Sequence, residues 1–319
     1  MRYSVIIPCY KSDQTIEHVV NLTREEMRKQ NREDLEFVLV NDCSPDGGKT
    51  IEKLKEMAEN HADVKVIDLA VNCGQHNALM AALRHAEGDV IIGMDDDGQT
   101  HPSQLPALFE MLDQGYDLVY GYYPQKKHSW FRNLGSRFND LTVNMMIKKP
   151  KEVRTSSYFV VRKFVRDYAV EYTGSYTYLL GLFMRCTQNI ASVPIQHFER
   201  EAGESGYTLK QLIRLWSSII GFSVVPLRVA SITGFVSAGA GLLAALWILI
   251  RKFIDPNLSM GWPSIMCAIF FFFGLNFMFL GMIGEYLGRM FLGMNREPQY
   301  VIKATYNIQK TKKEETDLL

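Results

Sequence analysis

The segment VIIGMDDDGQTHP, Val90 to Pro102, begins as an apolar strand-like run and ends in three consecutive aspartates. A short apolar run bounded by turn residues fits a strand covered on both faces, as in a parallel sheet. Three adjacent carboxylates repel one another unless a cation, a set of hydrogen-bond donors or solvent takes up their charge. Two readings compete: an acidic turn before a helix, with Thr100 as its cap and Pro102 in its first turn, or a ligand-binding strand tip.

The segments around it favour the second. SVIIPCY (Ser4 to Tyr10), EFVLVND (Glu36 to Asp42), VKVIDL (Val64 to Leu69) and DVIIGMD (Asp89 to Asp95) are β-branched runs. Between them Thr15 to Gln30, Lys49 to Asn60 and Gln75 to Glu87 carry helical periodicity. Strand alternating with helix predicts an α/β fold with a mostly parallel sheet and helices on both faces. Ligands of such sheets bind beyond the carboxyl ends of the strands. Those ends carry Tyr10, Asp42 and Asp95 to Asp97, so one crevice collects them. Further on, DLVYGYY and IASVPIQHFER are predicted as strands and WFRNLGSRFNDLTVNMM as a helix.

Lys plus Arg and Asp plus Glu are equal at 35 each, a balance that gives no sign of a nucleic-acid partner. The five cysteines form no C-x-x-C pair and read as reduced thiols facing the cytosol. MRYSVIIPCY enters a strand directly, without a secretory signal. Two uncharged runs stand out, Val229 to Ile250 and Trp262 to Gly284, of 22 and 23 residues. Each is long enough to cross a bilayer, and RKFIDPNLSMG joins them as a loop. Lys210, Arg214 and Arg228 precede the pair and Arg289, Arg296 and Lys303 follow it, against Arg251 and Lys252 between. That bias puts both termini in the cytoplasm, as a multi-pass protein of the inner membrane. Thr208 to Gly221 has the pattern of a helix lying in the bilayer interface. The expected organisation is a catalytic domain over 1–205, an interfacial segment over 206–228, a hairpin over 229–288 and a cytoplasmic tail over 289–319.

Asp95 and Asp97, two residues apart, can offer carboxylates to one divalent ion, and Gln99 can add a carbonyl oxygen. Hard oxygen ligands suit Mg²⁺ or Mn²⁺, which commonly accompany a diphosphate. A nucleotidyltransferase would be expected to show a glycine-rich loop after its first strand, and CYKSDQT has no glycine. A glycosyltransferase needs none.

Taken in order, PCY, VNDCSPD, NCGQHNALMAAL, DDDGQTHP and HFEREAGESGY followed by a helix and PLR resemble family 2 glycosyltransferases of the polyprenyl-phosphate type. That group has a GT-A fold and includes undecaprenyl-phosphate glucosyl and formamido-arabinose transferases and dolichyl-phosphate mannosyltransferases. The resemblance implies that Pro8 and Tyr10 line a nucleotide pocket with Asp13 as a further candidate, and that Asp42 contacts the nucleoside. It implies that Asp95, Asp97 and Gln99 hold metal and diphosphate, with Asp96 outside that set. Arg132 and Ser136 match R-x-x-x-S, a lipid-phosphate signature, with Arg137 beside them. Arg200, Gly203 and Ser205 match R-x-x-G-x-S, a loop near the diphosphate. Asp95, Asp97, Arg132 and Arg200 are the expected catalytic set.

The chain departs from the family pattern in several places. Lys11 and Ser12 stand where Asn-Glu is usual, and Gly206 replaces a basic residue. Tyr122 and Tyr123 end a strand that normally carries an arginine, with Lys126 or Lys127 as substitutes. Thr155 to Val161 lacks the usual Asp and Arg. The implied reaction is an inverting, metal-dependent transfer from a nucleotide sugar, a UDP-sugar first, to undecaprenyl phosphate at the cytoplasmic membrane face, supplying a lipid-linked sugar for modification of cell-envelope glycans. The lipid phosphate, with a second pKa near 6, is mostly a dianion at neutral pH and needs no general base. NCGQHNALMAAL and HFEREAGES are nearest the formamido-arabinose subgroup, while glucose and N-acetylglucosamine transferases share much of the pattern. Two alternatives stand beside this reading, a processive polysaccharide synthase suggested by QLIRLW and a catalytically silent nucleotide-sugar sensor. A homo-oligomer is left open.

Overall fold

A computed structural model describes residues 1–124, 153–174, 177–196, 230–237, 261–294 and 298–308, with further positions at 227, 239, 243, 246, 247 and 250. The sequence periodicities become alternating strands and helices. These are β1 (Tyr3–Cys9), α1 (Ile16–Lys29), β2 (Leu35–Asn41), α2 (Lys49–Asn60), β3 (Val64–Leu69), α3 (Gln75–His85) and β4 (Val90–Gly93). A 3-10 turn (Pro102–Gln104) leads into α4 (Leu105–Asp113). Then follow β5 (Leu118–Tyr122), β6 (Phe159–Arg162), α5 (Lys163–Ala169), α6 (Leu179–Cys186) and β7 (Ile190–Pro194). The described chain closes with α7 (Trp262–Met294) and β8 (Ile302–Tyr306).

One eight-stranded sheet runs in the order β7-β5-β6-β4-β1-β2-β3-β8. β1 pairs in parallel with β2 and β4, β2 with β3, and β5 with β7. β6 is antiparallel to both β4 and β5, and β8 is antiparallel to β3, so the sheet is mixed with most strands in one direction. Side chains alternate across it. Val5, Ile7, Phe37, Leu39 and Ile92 pack with α1, α2 and α4 on one face. Ile6, Val38, Val40, Ile67 and Ile91 pack with α3, α5 and α6 on the other. The expected α/β sheet covered on both faces is therefore present, and the carboxyl ends of β1, β2 and β4 lie side by side.

α7 is 33 residues long, about 50 Å at 1.5 Å per residue. It extends ten residues beyond the predicted end at Gly284 and contains the one helix window among the described residues long and apolar enough to cross a membrane, Phe271–Gly288, none of it buried within the protein. Of the predicted partner span over 229–250, residues 230–237 and five further positions are described and helical, while the rest of it, nearly all of the interfacial segment and the helix expected over 130–146 fall outside the described residues.

Residues 289–319 were expected as a tail, and here the structure differs. Ile302–Tyr306 returns to the sheet as its edge strand, with Ile67 opposite Thr305 and Val66 opposite Tyr306. The physical reason is the unpaired edge of β3, whose backbone groups gain partners from β8. Ile302 packs on one apolar layer and Tyr306 on the other. Asn307 follows in a left-handed conformation (φ 56°), and its side-chain amide reaches the carbonyls of Ala58, His61 and Val64 at 2.5–3.2 Å.

Candidate active site

β4 ends at Gly93, but the Met94 amide still donates to the Ile6 carbonyl at 3.2 Å, so the aspartates leave the sheet beside β1. Gly98, at φ 76°, supplies the left-handed turn that folds the acidic loop back. The Gln99 amide donates to Asp97 Oδ1 at 3.0 Å, and the Asp95 amide to Thr100 Oγ1 at 2.9 Å. Thr100 is therefore consumed inside the loop and does not cap the next helix. That cap is His101, whose Nδ1 accepts from the Ser103 amide at 3.2 Å.

The three carboxylates have different partners. Asp95 Oδ1 accepts from Gln75 Nε2 at 2.8 Å, and Asp95 Oδ2 accepts from the Ser157 hydroxyl. Burial pushes its pKa up to about 6; the neighbouring Asp97 and Asp96 charges add to the rise, and the Ser157 and Gln75 hydrogen bonds oppose it. Asp96 Oδ2 accepts from the Tyr10 amide at 2.9 Å and from the Ser12 hydroxyl. Its pKa is raised as well, by burial first, against those same two hydrogen bonds. All four of these donors are neutral, so the charge on Asp95 and Asp96 is hydrogen-bonded without being cancelled. Tyr123 donates from its hydroxyl to the Gln99 carbonyl at 2.9 Å, and burial with the nearby Asp95 and Asp97 holds that phenol far above its usual range.

Asp42, 5% exposed at the tip of β2, accepts from the amides of Cys73 at 2.7 Å and Gly74 at 2.9 Å. It thus holds the entry to α3, while the helix next in sequence is served by Asp46, which accepts from the Gly48 and Thr50 amides. Desolvation raises the Asp42 pKa, and the two amides partly offset it. Its own amide donates to the Cys9 carbonyl at 3.1 Å, which seats the β2 tip against β1. Tyr10 is 47% exposed at the mouth. Pro8 is half-buried in β1, and Asp13 is half-buried in the turn before α1. Lys11 sits at φ 59° with its amide donating to Ser44 Oγ at 3.1 Å. Non-glycine residues in this region are uncommon and mark places where surrounding contacts dictate the backbone.

The structure therefore brings Tyr10, Asp42, Asp95, Asp97 and Gln99 to one end of the sheet. Arg132, Ser136, Arg137, Arg200, Gly203 and Ser205 lie outside the described residues. Gln75, Ser157 and Ser12 were not singled out as site residues from sequence. Gln75 lies in NCGQHNALMAAL, but only the fold shows that the start of α3 faces the tip of β4. Arg154, also missed, places its guanidinium 5.0 Å from the Tyr122 ring, near the strand end where a basic residue was expected.

Among the described residues no group of three or more His, Cys, Asp and Glu is arranged to hold a metal. Two carboxylates with Gln99 nevertheless suit Mg²⁺ or Mn²⁺ bound together with substrate phosphates, since Mg²⁺ typically takes one or two protein carboxylates and completes its shell from phosphate and water. Each Asp95 oxygen accepts one hydrogen bond and has two lone pairs, so the donor chemistry fits.

Residues 4–168 match the family described as Glycosyl transferase family 2. The chain belongs to glycosyl transferase family 2. This family 2 glycosyltransferase is 29% identical over 324 residues to the undecaprenyl-phosphate 4-deoxy-4-formamido-L-arabinose transferase of Proteus mirabilis (strain HI4320), covering 99% of this chain and 97% of that protein. It is 32% identical over 311 residues to the enzyme of the same name from Edwardsiella ictaluri (strain 93-146), covering 94% of this chain and 93% of that one. Among solved structures, the family 2 chain is similar to the glucosyl-3-phosphoglycerate synthase of Mycobacterium tuberculosis in complex with Mn²⁺, UDP-glucose and phosphoglyceric acid. That likeness has a TM-score of 0.47 at 18% identity, covering 69% of this chain and 78% of that one.

Proposed function

We propose that this glycosyltransferase moves a sugar from a nucleoside diphosphate, UDP first, to undecaprenyl phosphate at the cytoplasmic face of the membrane. The leading donor sugar is 4-deoxy-4-formamido-L-arabinose, because the Proteus and Edwardsiella relatives carry that activity in their names. The observation that carries the reading is the meeting of the β1, β2 and β4 tips around Asp95 and Asp97 in a chain that also bears α7, an apolar helix left uncovered. The topology agrees with a lipid acceptor. β7 leaves the sheet at Pro194, and β8 enters it at Ile302 opposite Leu69, both at the end where the crevice lies. The segment carrying α7 is thus tethered on the crevice side.

Asp95 and Asp97, with Gln99, would hold Mg²⁺ or Mn²⁺ here. Such an ion, when bound, neutralises charge on the departing diphosphate. Tyr10 offers an exposed ring at the mouth for the nucleoside, and Asp42 keeps the α3 entry in register beside it. The lipid phosphate is already nucleophilic as a dianion, so the protein's task is to orient it behind the anomeric carbon. Arg132, Ser136 and Arg137 are assigned that task and Arg200, Gly203 and Ser205 the diphosphate. A single displacement inverts the anomeric centre.

The test is incubation of the full chain in detergent with undecaprenyl phosphate and a panel of labelled UDP-sugars, UDP-4-deoxy-4-formamido-L-arabinose among them. A labelled glycolipid in the organic phase is expected. No labelled lipid with any donor would support the sensor, and label retained in a polymer would support the processive synthase.

A further inference from the structure

We infer that Gln75, paired with Ser157, is a positioning residue that clamps Asp95 from both sides and sets the carboxylate for the metal and diphosphate. The inference rests on the proposed glycosyl transfer. The two donors come from elements far apart in sequence: Gln75 is the first residue of α3, and Ser157 precedes β6. Gln75 Nε2 reaches Asp95 Oδ1 at 2.8 Å, and the Ser157 hydroxyl reaches Oδ2. With one protein donor on each oxygen the carboxylate plane has no freedom to rotate, and one lone pair per oxygen is left for a cation.

The position of Gln75 is itself imposed. Asp42 accepts from the Cys73 and Gly74 amides, and the Asn72 side chain donates to the Asp42 carbonyl at 3.0 Å. Gly74 takes φ 82°, a conformation in which an L side chain would be strained, so the turn into α3 can deliver Gln75 to the acidic loop. A continuous set of contacts thus runs from the β2 acid through the loop over residues 72–74 and Gln75 to the β4 acid. It links the end of the crevice assigned to the nucleoside with the end assigned to the metal.

A role in folding alone fits Gln75 poorly. Its side chain is exposed on the first turn of a helix whose buried face is Ala78 to Leu83, and its amide contributes nothing to that apolar layer. Outer residues that hydrogen-bond a metal-ligating carboxylate typically change metal affinity or activity 10–100-fold on removal, by orienting the ligand.

The decisive experiment titrates Mn²⁺ into the full chain in detergent with UDP present, following free Mn²⁺ by EPR, for wild type, Gln75→Met and Ser157→Ala. Thermal unfolding of each variant is recorded alongside. Gln75→Met keeps the length of the side chain and removes its donor. The expected result is a Mn²⁺ Kd raised roughly 10-fold or more in each variant, with the unfolding midpoint held within about 2 °C of wild type. In the transfer assay the rise should appear as a higher metal requirement, with the KM for undecaprenyl phosphate unchanged. Wild-type Mn²⁺ affinity in Gln75→Met would overturn the clamp while leaving the proposed reaction standing. Absence of UDP-dependent Mn²⁺ binding in the wild type would overturn both, and the wild-type titration distinguishes the two failures.

Discussion

The Tyr10 amide donates to Asp96 Oδ2 at 2.9 Å, and the Ser12 hydroxyl donates to that same oxygen, so the tip of β1 is fastened to the tip of β4 through the central aspartate. Asp96 therefore has its carboxylate turned to the protein, while Asp95 and Asp97 are the acids assigned to the ion. The two kinds of acid should separate on mutation. Asp96→Asn keeps an oxygen that can accept both bonds and should retain most transfer activity. Asp96→Ala leaves the amide and hydroxyl without their charged acceptor, at a cost of about 1.5–3 kcal/mol. That loss is expected as a lower unfolding midpoint and weaker UDP binding by calorimetry. An inactive Asp96→Asn with full stability would place Asp96 among the ion's ligands instead.

Asp97→Ala should abolish transfer at an unchanged fold, because Asp97 Oδ1 accepts from the local Gln99 amide, within its own loop, and its side chain is no part of the apolar core. Excess chelator should silence the wild type in the same way, and Mg²⁺ or Mn²⁺ should restore it. Wild-type turnover in the mutant, or in chelator, would remove the metal from the mechanism.

Gly93 links the sheet to the acids two residues later. It is buried opposite Phe159 across the β4–β6 pair, and a Cβ at this position would overlap the Phe159 ring. Gly93→Ala should destabilise by about 1–3 kcal/mol through overpacking. It should also lower activity by shifting Asp95 relative to Gln75. Chemical denaturation and the glycolipid assay on the same preparation read both effects, and an unperturbed Gly93→Ala would mean that β4 and β6 can separate at no cost to the site.

How far the sequence carried this result depends on where each signal resides. β1 to β4 and α1 to α3 were legible because each strand is a short β-branched run and each helix between them repeats its apolar residues at helical spacing. β3 and α2 match their predicted bounds to the residue. β6 was not legible, since FVVR is four residues long and its pairing with β4 depends on contacts some 70 positions distant. β8 was hidden by its short, mixed composition: IKATY is five residues long and only partly buried, because β8 is itself the edge strand and, among the described residues, pairs with β3 on one side alone. The acids were found from charge at the ends of predicted strands together with the family resemblance. Their donors Gln75, Ser157 and Ser12 were not, because an uncharged polar residue in a loop or at a helix start reveals a role only when the fold supplies its partner.

His76 gives a pH dependence unrelated to the acids. Its Nδ1 is buried with no hydrogen-bond partner, its ring lies edge-on to Tyr178 at 5.3 Å, and desolvation lowers its pKa from 6.5 to about 4. Between those values the unfolded chain holds a proton that the folded one does not. Stability contributed by the neutral imidazole is therefore complete above pH 6.5 and is lost as pH falls toward 4, by roughly 3 kcal/mol over the whole window. Unfolding midpoints taken across that range should fall more steeply for wild type than for His76→Gln. Parallel curves for the two proteins would show that His76 titrates normally in the fold.

Asn307 tests whether the returning strand is integral to the domain. Its amide nitrogen lies 2.5 Å from the Ala58 carbonyl, 3.0 Å from that of Val64 and 3.2 Å from that of His61, so one side chain serves the end of α2 and the start of β3 together. Asn307→Ala removes these bonds and puts a residue disfavoured at φ 56° in their place. The expected loss is about 1–3 kcal/mol. Asn307→Gly relieves the backbone term alone and should recover part of it, which separates conformation from hydrogen bonding. Because β8 is, among the described residues, the only strand joined to β3 on that side, its loosening should appear as faster amide hydrogen exchange along Val64 to Leu69. If exchange in β3 stays at its wild-type rate while β8 opens, the strand is an accessory to the sheet, and the tether between α7 and the crevice end is weaker than its pairing implies.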